Sequence, residues 1–175
     1  MKKFLLMVFL VILFVVEVSA IDYRLVGGIN VSRMIEGPIF AGSGHFDSCG
    51  VGFLLGGGAE FTLSKNMSIE LDGLYFQKSS VFKCWHHEEF RDCFCVLHEI
   101  SFPVLVKFKH LFNSPFFLLG GGEFACVISE EGADKFDYGA VFGVGVEIKK
   151  IISSIEIRCH IGHKANTIAL VLGFF

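Results

Sequence analysis

From Tyr23 onward, apolar side chains recur at every second position in one segment after another, and glycine is scattered through the same segments. A strand points successive side chains to opposite faces, whereas a helix groups its apolar residues three and four apart and is weakened by so much glycine. The chain is therefore expected to be all-β. Eight segments have suitable length: Tyr23 to Met34, Gly50 to Leu63, Met67 to Lys78, Val96 to Lys109, Phe116 to Ser129, Phe136 to Ile148, Ser153 to His163 and Thr167 to Phe175. Each is near or above the ~9 to 11 residues that a tilted strand needs to cross a bilayer.

The connections are of two kinds. Ser64 to Asn66, His110 to Pro115 and Lys149 to Ile152 are short, while Ile35 to Cys49 and Ser79 to Cys95 are long. Short turns at one end alternating with longer loops at the other suit an up-and-down barrel with both chain ends on one side. The connections Glu130 to Lys135 and Lys164 to Asn166 are short as well, so the alternation is clear only in the first half.

Parity within the strands separates two faces. Phe136, Tyr138, Phe142, Val144, Val146 and Ile148 share one side of the sixth strand, and Asp137, Val141, Glu147 and three glycines share the other. The same split sets Glu70 and Asp72 against Ile69 and Leu71. It sets Glu99 and Lys107 against Ile100, Phe102, Val104 and Phe108, and Glu156, Arg158 and His160 against Ile155, Ile157 and Ile161. Glu60 falls opposite Phe53, Leu55 and Phe61, Arg24 falls opposite Leu25, and Glu123 is the fifth strand's single charge. A soluble ligand carrier keeps its apolar face inside, whereas an outer-membrane barrel turns that face to lipid. Three features favour the second arrangement. The apolar face is long and rich in Phe, Ile and Val, glycines crowd the polar face where a narrow lumen has least room, and the chain opens with an export-type segment.

That segment has Lys2 and Lys3 before an unbroken apolar run from Phe4 to Val16, then the small-residue stretch Val18-Ser19-Ala20. The run is shorter than the ~20 residues of a spanning helix. Residues 1–20 are expected to be a cleavable signal peptide and residues 21–175 the barrel domain. With 53% hydrophobic residues and a net charge of −3, the chain offers no basic stripe, and no nucleic-acid partner is expected.

The expected lumen thus holds Glu60, Glu70, Asp72, Glu99, Glu123, Glu147 and Glu156 against Arg24, Lys107 and Arg158, with His160 titratable nearby. Buried charges must be paired or hydrated, so a structural network of ion pairs is expected. Eight strands enclose little more than their own side chains, which argues against a general pore. Glu70 and Asp72 lack a partner nucleophile, and no nucleophile elbow, zinc-protease helix or phosphate loop is present, so no catalytic site or cofactor is expected.

Six cysteines are many for such a chain, and the stretch from Lys83 to Glu89, followed by Cys93 and Cys95, is the most distinctive. A disulfide among Cys84, Cys93 and Cys95, or from one of them to Cys49, suits an oxidising compartment, and the pairing is left open. His86 and His87 with these cysteines match no established zinc spacing, and a polar surface loop stapled by one bridge is favoured. His86, His87 and Glu88 are the only candidates for an enzymatic rim site. Cys126 and Cys159 fall on the apolar face as small apolar residues.

The segments "YRLVGGINVSRM", "GVGFLLGGGAEFTLSKNMSIELDGLYFQK", "HEISFPVLVKFK", "PFFLLGGGEFACVIS", "FDYGAVFGVGVEI" and "LGFF", in this order, resemble the PorT-like outer-membrane β-barrel family over nearly the whole chain after residue 20. The resemblance implies a bacterial outer-membrane location and insertion by the outer-membrane assembly machinery, with Phe175 as the terminal aromatic signal. The chain departs from the pattern at Gly173. Ile168, Leu170, Leu172 and Phe174 fall on the expected inner face, which leaves the facing of the last strand open. The function expected is non-enzymatic: a monomeric barrel in lipid with a structural or surface-interaction role. A secreted carrier of an apolar ligand and a narrow channel are the alternatives.

Overall fold

The computed structural model describes residues 21–35, 48–86, 89–110, 114–128, 136–148 and 152–174, with backbone alone at 48, 82–86 and 89–94. The expected signal peptide, Phe175, His87 and Glu88 lie outside the described residues.

Eight strands run β1 (Ile21–Met34), β2 (Ser48–Ser64), β3 (Met67–His86), β4 (Glu89–Phe108), β5 (Phe116–Val127), β6 (Phe136–Glu147), β7 (Ile152–Gly162) and β8 (Ala165–Phe174). Each pairs antiparallel with its sequence neighbour, and β1 pairs with β8 from Leu25↔Phe174 to Met34↔Ala165, which closes the sheet on itself. Closure leaves no sheet edge along the shared height of the strands, the condition for a β-structure to sit in hydrocarbon.

The largest departure from the sequence reading lies between Ser79 and Cys95. This stretch is expected as a loop, yet β3 and β4 continue through it as a paired hairpin to His86↔Glu89. β2 pairs with β3 only as far as Ser48↔Val81, and β4 pairs with β5 only as far as Glu99↔Val127, so the hairpin tip rises beyond the barrel wall. Charged residues are interspersed there, which reads as loop, but Val81, Phe82, Trp85, Phe90 and Phe94 are strong strand formers. A two-stranded ribbon also needs no inward apolar face, so the usual alternation is not required of it.

The last strand corrects a second expectation. Thr167, Ala169, Val171 and Gly173 are buried, while Ile168 and Leu170 are exposed and Leu172 and Phe174 half-buried. The apolar face of β8 is therefore the outer one, fixed by its ladder with β1, where Ile29 opposite Leu170 is also exposed. A one-residue shift would turn all of β8 over, and the pairings on both sides prevent it.

Pro103 leaves a local mark. The β3–β4 ladder runs Leu71↔Val104 and then Leu74↔Ser101, so Asp72 and Gly73 are left out of it. Proline has no N–H to give the neighbouring strand, and the gap coincides with the position at which Asp72 enters the lumen.

Candidate functional site in the charged lumen

Three tiers of charge line the barrel interior. At the end that holds the short turns, Glu60 on β2, Lys107 on β4, Lys109 just after it and Glu147 on β6 meet. Lys107 Nζ lies 3.2 Å from Glu60 Oε2 and 3.5 Å from Glu147 Oε1, and Lys109 pairs with both carboxylates. Ser68 donates to Glu60 at 2.8 Å, and the Lys107 ammonium sits 4.0 Å from the centre of the Phe117 ring. Burial works to lower the pKa of Lys109, but the Glu60 carboxylate, supported by Glu147, outweighs it and holds the ammonium above its usual range. The tier opens into a vestibule of about 230 Å³ bounded by Asp22, Lys109, Glu147 and Ser153.

The middle tier is the most densely bonded. Arg158, fully buried, donates from Nη2 to Glu70 at 2.5 Å, from Nη1 to Asp72 at 2.8 Å and from Nε to Glu156 at 2.7 Å. Arg24 pairs with Glu70, with Asp72 at 3.3 Å and with Glu156 at 2.9 Å. Ser154 adds a hydrogen bond to Glu156 at 2.6 Å. These residues come from β1, β3 and β7, so two guanidinium forks tie together strands that are not neighbours in the sheet. Inward-facing glycines make the room. A Cβ at Gly58 would land on the Asp72 carboxylate, and one at Gly121 on the Val104 carbonyl oxygen.

Apolar side chains surround this tier. Val26, Leu54, Leu74, Phe76, Ala169 and Val171 form one buried cluster, and Leu105, Phe117, Leu119 and Val141 another. Toward the hairpin end the charges resume. Lys78 pairs with Glu99, Ser101 donates to Glu123 at 2.9 Å, and His160 Nδ1 lies 2.8 Å from the same Glu123 oxygen. Asp137 accepts from the backbone N–H groups of His163 at 3.0 Å and Lys164 at 3.2 Å, which fixes the β7–β8 turn. Met34, Leu97, Val127 and Ala165 cluster near this end, with Cys95 against them.

All ten charged residues singled out from the sequence line this interior, Glu147 being the most exposed with 31% of its side chain accessible. The sequence reading did not count Lys78, Lys109, Asp137 and Lys164 among the lumen charges. Lys78 shares parity with Glu70 and Asp72, Asp137 with Glu147, and Lys109 with Glu99 and Lys107, so three of the four were legible by carrying the alternation to the ends of the expected strands. Lys164 lies beyond the end of its expected strand, where parity gives no signal. With these added, the described interior holds eight carboxylates and six Lys or Arg cations, a smaller acidic excess than the strand cores suggest.

The arrangement suits structural charge pairing better than chemistry. Ser101 and His160 both meet Glu123, not each other, so the imidazole does not stand where it could take a proton from the hydroxyl. Among the described residues no three His, Cys, Asp or Glu side chains gather in a way that would hold a metal ion. Cys49, Cys126 and Cys159 are free thiols. Cys84 stands opposite Arg91, Cys93 opposite Phe82 and Cys95 opposite Ser80 in the ladder, and the side chains of Cys84 and Cys93 lie outside the described residues.

Among solved structures, the chain is similar to the outer membrane protein OprG from Pseudomonas aeruginosa, with a TM-score of 0.50 and 11% identity over 89% of this chain and 96% of that one. It is also similar to Ail, the attachment invasion locus protein of Yersinia pestis, with a TM-score of 0.39 and 13% identity over 87% of this chain and 97% of that one. No protein-family model and no curated protein matches the chain. At 11% identity the likeness to OprG is one of fold: an antiparallel closed barrel of eight strands that an outer membrane protein also adopts.

Proposed function

We propose that this chain is an outer-membrane β-barrel, monomeric in lipid, with a non-enzymatic structural or surface-interaction role. The PorT-like grouping, export and insertion by the outer-membrane assembly machinery belong to the same proposal. The observation that carries it is the inversion of the usual protein surface. Val104, Phe102, Leu25, Leu55, Phe142, Ile157 and Ile168 are exposed, while Arg158, Glu70, Glu99 and Lys107 are buried. An aqueous barrel with that surface would expose far more contiguous apolar area than soluble monomers carry, and among the described residues the interior is lined by buried ion pairs, the reverse of a carrier's apolar lining.

The height of the apolar band supports the placement. On β4 the outward residues run from Phe108 at the short-turn end to His98, ten positions away. At ~3.3 Å per residue and a tilt of ~40° this is about 25 Å, the usual height of a barrel's lipid-facing band. Paired rings mark the far boundary. Tyr75 and His98 share a 2.6 Å hydrogen bond, and Tyr138 stacks on His163 at 5.7 Å. Rings with a polar tip suit the level at which hydrocarbon gives way to headgroups. Beyond His98 the β3–β4 hairpin continues for nine more positions on β4, about 30 Å of strand at that rise, and it is where we place the interaction role. Among the described residues, ion-paired tiers and two buried apolar clusters occupy the interior, which argues against a general pore.

Two experiments test this reading. In cell fractionation the protein should stay with the outer membrane and migrate faster unheated than boiled, and protease applied to intact cells should cut in the hairpin tip or in residues 36–47 and spare the strands. A soluble periplasmic monomer would overturn the proposal. Independently, Val104→Arg places a cation near mid-band. In a lipid-embedded barrel it should cost about 2–4 kcal/mol of folding free energy, whereas on a water-facing surface the same change is worth about 0.5 kcal/mol or less. Reversible unfolding in lipid vesicles separates the two.

A further inference from the structure

We infer that the middle tier of the lumen is a binding site for one proton, carried by Glu70. The inference does not depend on which partner the hairpin meets or on the membrane in which the barrel sits.

The tier holds three carboxylates, Glu70, Asp72 and Glu156, against two guanidiniums, Arg24 and Arg158. The nearest further cation, Lys107, is engaged by Glu60 and Glu147, where Lys109 completes a balanced set of two cations and two carboxylates. On the hairpin side Lys78 is engaged by Glu99. The middle tier therefore carries one negative charge in excess, and each of its three carboxylate residues is at most 4% exposed. An uncompensated charge taken out of water costs several kcal/mol, and a buried carboxylate avoids that cost by taking up a proton.

The hydrogen bonds say which carboxylate takes it. Glu156 accepts from Arg24 and Ser154 on Oε1, and from Arg158 on Oε2. Asp72 accepts from Arg24 on both oxygens, at 3.4 and 3.3 Å, and from Arg158 at 2.8 Å on Oδ2. Glu70 takes both guanidiniums on Oε1 alone, and its Oε2 is buried with no hydrogen-bond partner among the described residues. A proton on Oε2 displaces no donor and leaves both arginine contacts in place. On either of the other two residues it would have to be placed where N–H groups already point.

The test uses the full barrel folded in lipid vesicles. Infrared spectra at neutral pH should contain a protonated-carboxyl stretch that Glu70→Gln removes. Glu156→Gln, which leaves two carboxylates for the two guanidiniums, should remove it as well, although Glu70 is still present. Because unfolding would release that proton, the unfolding constant of the wild type should rise with pH above 6 more steeply than that of Glu70→Gln, by up to tenfold per pH unit while the proton is held. Absence of the band in the wild type, its persistence in Glu70→Gln or in Glu156→Gln, or equal pH slopes would each overturn the assignment. If wild-type stability instead follows the sodium or potassium concentration at fixed pH and the spectrum shows no protonated carboxyl, a metal cation balances the tier and the proton assignment falls.

Discussion

Arg158→Met is expected to leave the protein largely unable to reach its folded, heat-modifiable form. The substitution removes every guanidinium contact that Arg158 makes to Glu70, Asp72 and Glu156, and it leaves Arg24 alone against three buried carboxylates. Breaking a buried ion pair by removing one partner costs about 3–5 kcal/mol, which is a factor of more than a hundred in the unfolding constant. Arg158→Lys keeps the charge but not the planar fork that reaches three carboxylates at once, so it should fall between methionine and the wild type. Adding Glu156→Gln to Arg158→Met should recover part of the loss, because it removes one of the stranded charges. Urea unfolding of the vesicle-embedded protein measures all four chains. Equal stability of Arg158→Met and wild type would mean that water, not the cross-barrel pairing, stabilises the middle tier.

The second large effect is a contrast between adjacent glycines. Gly121 faces inward opposite Leu105, and a side chain there would collide with the Val104 carbonyl of the neighbouring strand, which cannot move without opening the β4–β5 ladder. Gly121→Val should therefore cost about 3 kcal/mol, the upper range of overpacking, and refolding should yield little of the fast-migrating form. Gly122 faces outward, and the nearest atom to a Cβ there is the Gly139 carbonyl oxygen at 3.7 Å, an ordinary contact. Gly122→Ala should be neutral or should stabilise by roughly 0.5–1 kcal/mol through lost freedom in the unfolded chain. Comparable losses at both positions would show that the parity of β5 is not as described.

The same parity explains how much could be read in advance. Alternation assigned inside and outside on β1 to β7 because the period of a strand is two and each of those strands carries at least one charge to mark its polar face. It left β8 open because Ala165 to Phe174 contains no charged residue, and two nearly apolar faces cannot be ranked without knowing what stands beside them. It also missed the extension of the β3–β4 hairpin. A ribbon in water bonds half of its backbone groups across the pair and the rest to solvent, so it needs no buried face and the feature that reveals the other strands carries no information there.

What the residues in order determine about this protein is local: strands rather than helices, charges on one face, glycine where that face is crowded, and turns where polar residues break the alternation. The ion-pair partners were decided only by closure of the barrel. Arg24 reaches Glu156 across 132 positions and Arg158 reaches Glu70 across 88, on strands that never share a ladder. A one-dimensional pattern fixes which way a side chain points but not how far around the wall its partner stands. That distance depends on strand count and register taken together, and these exist only once β8 has met β1.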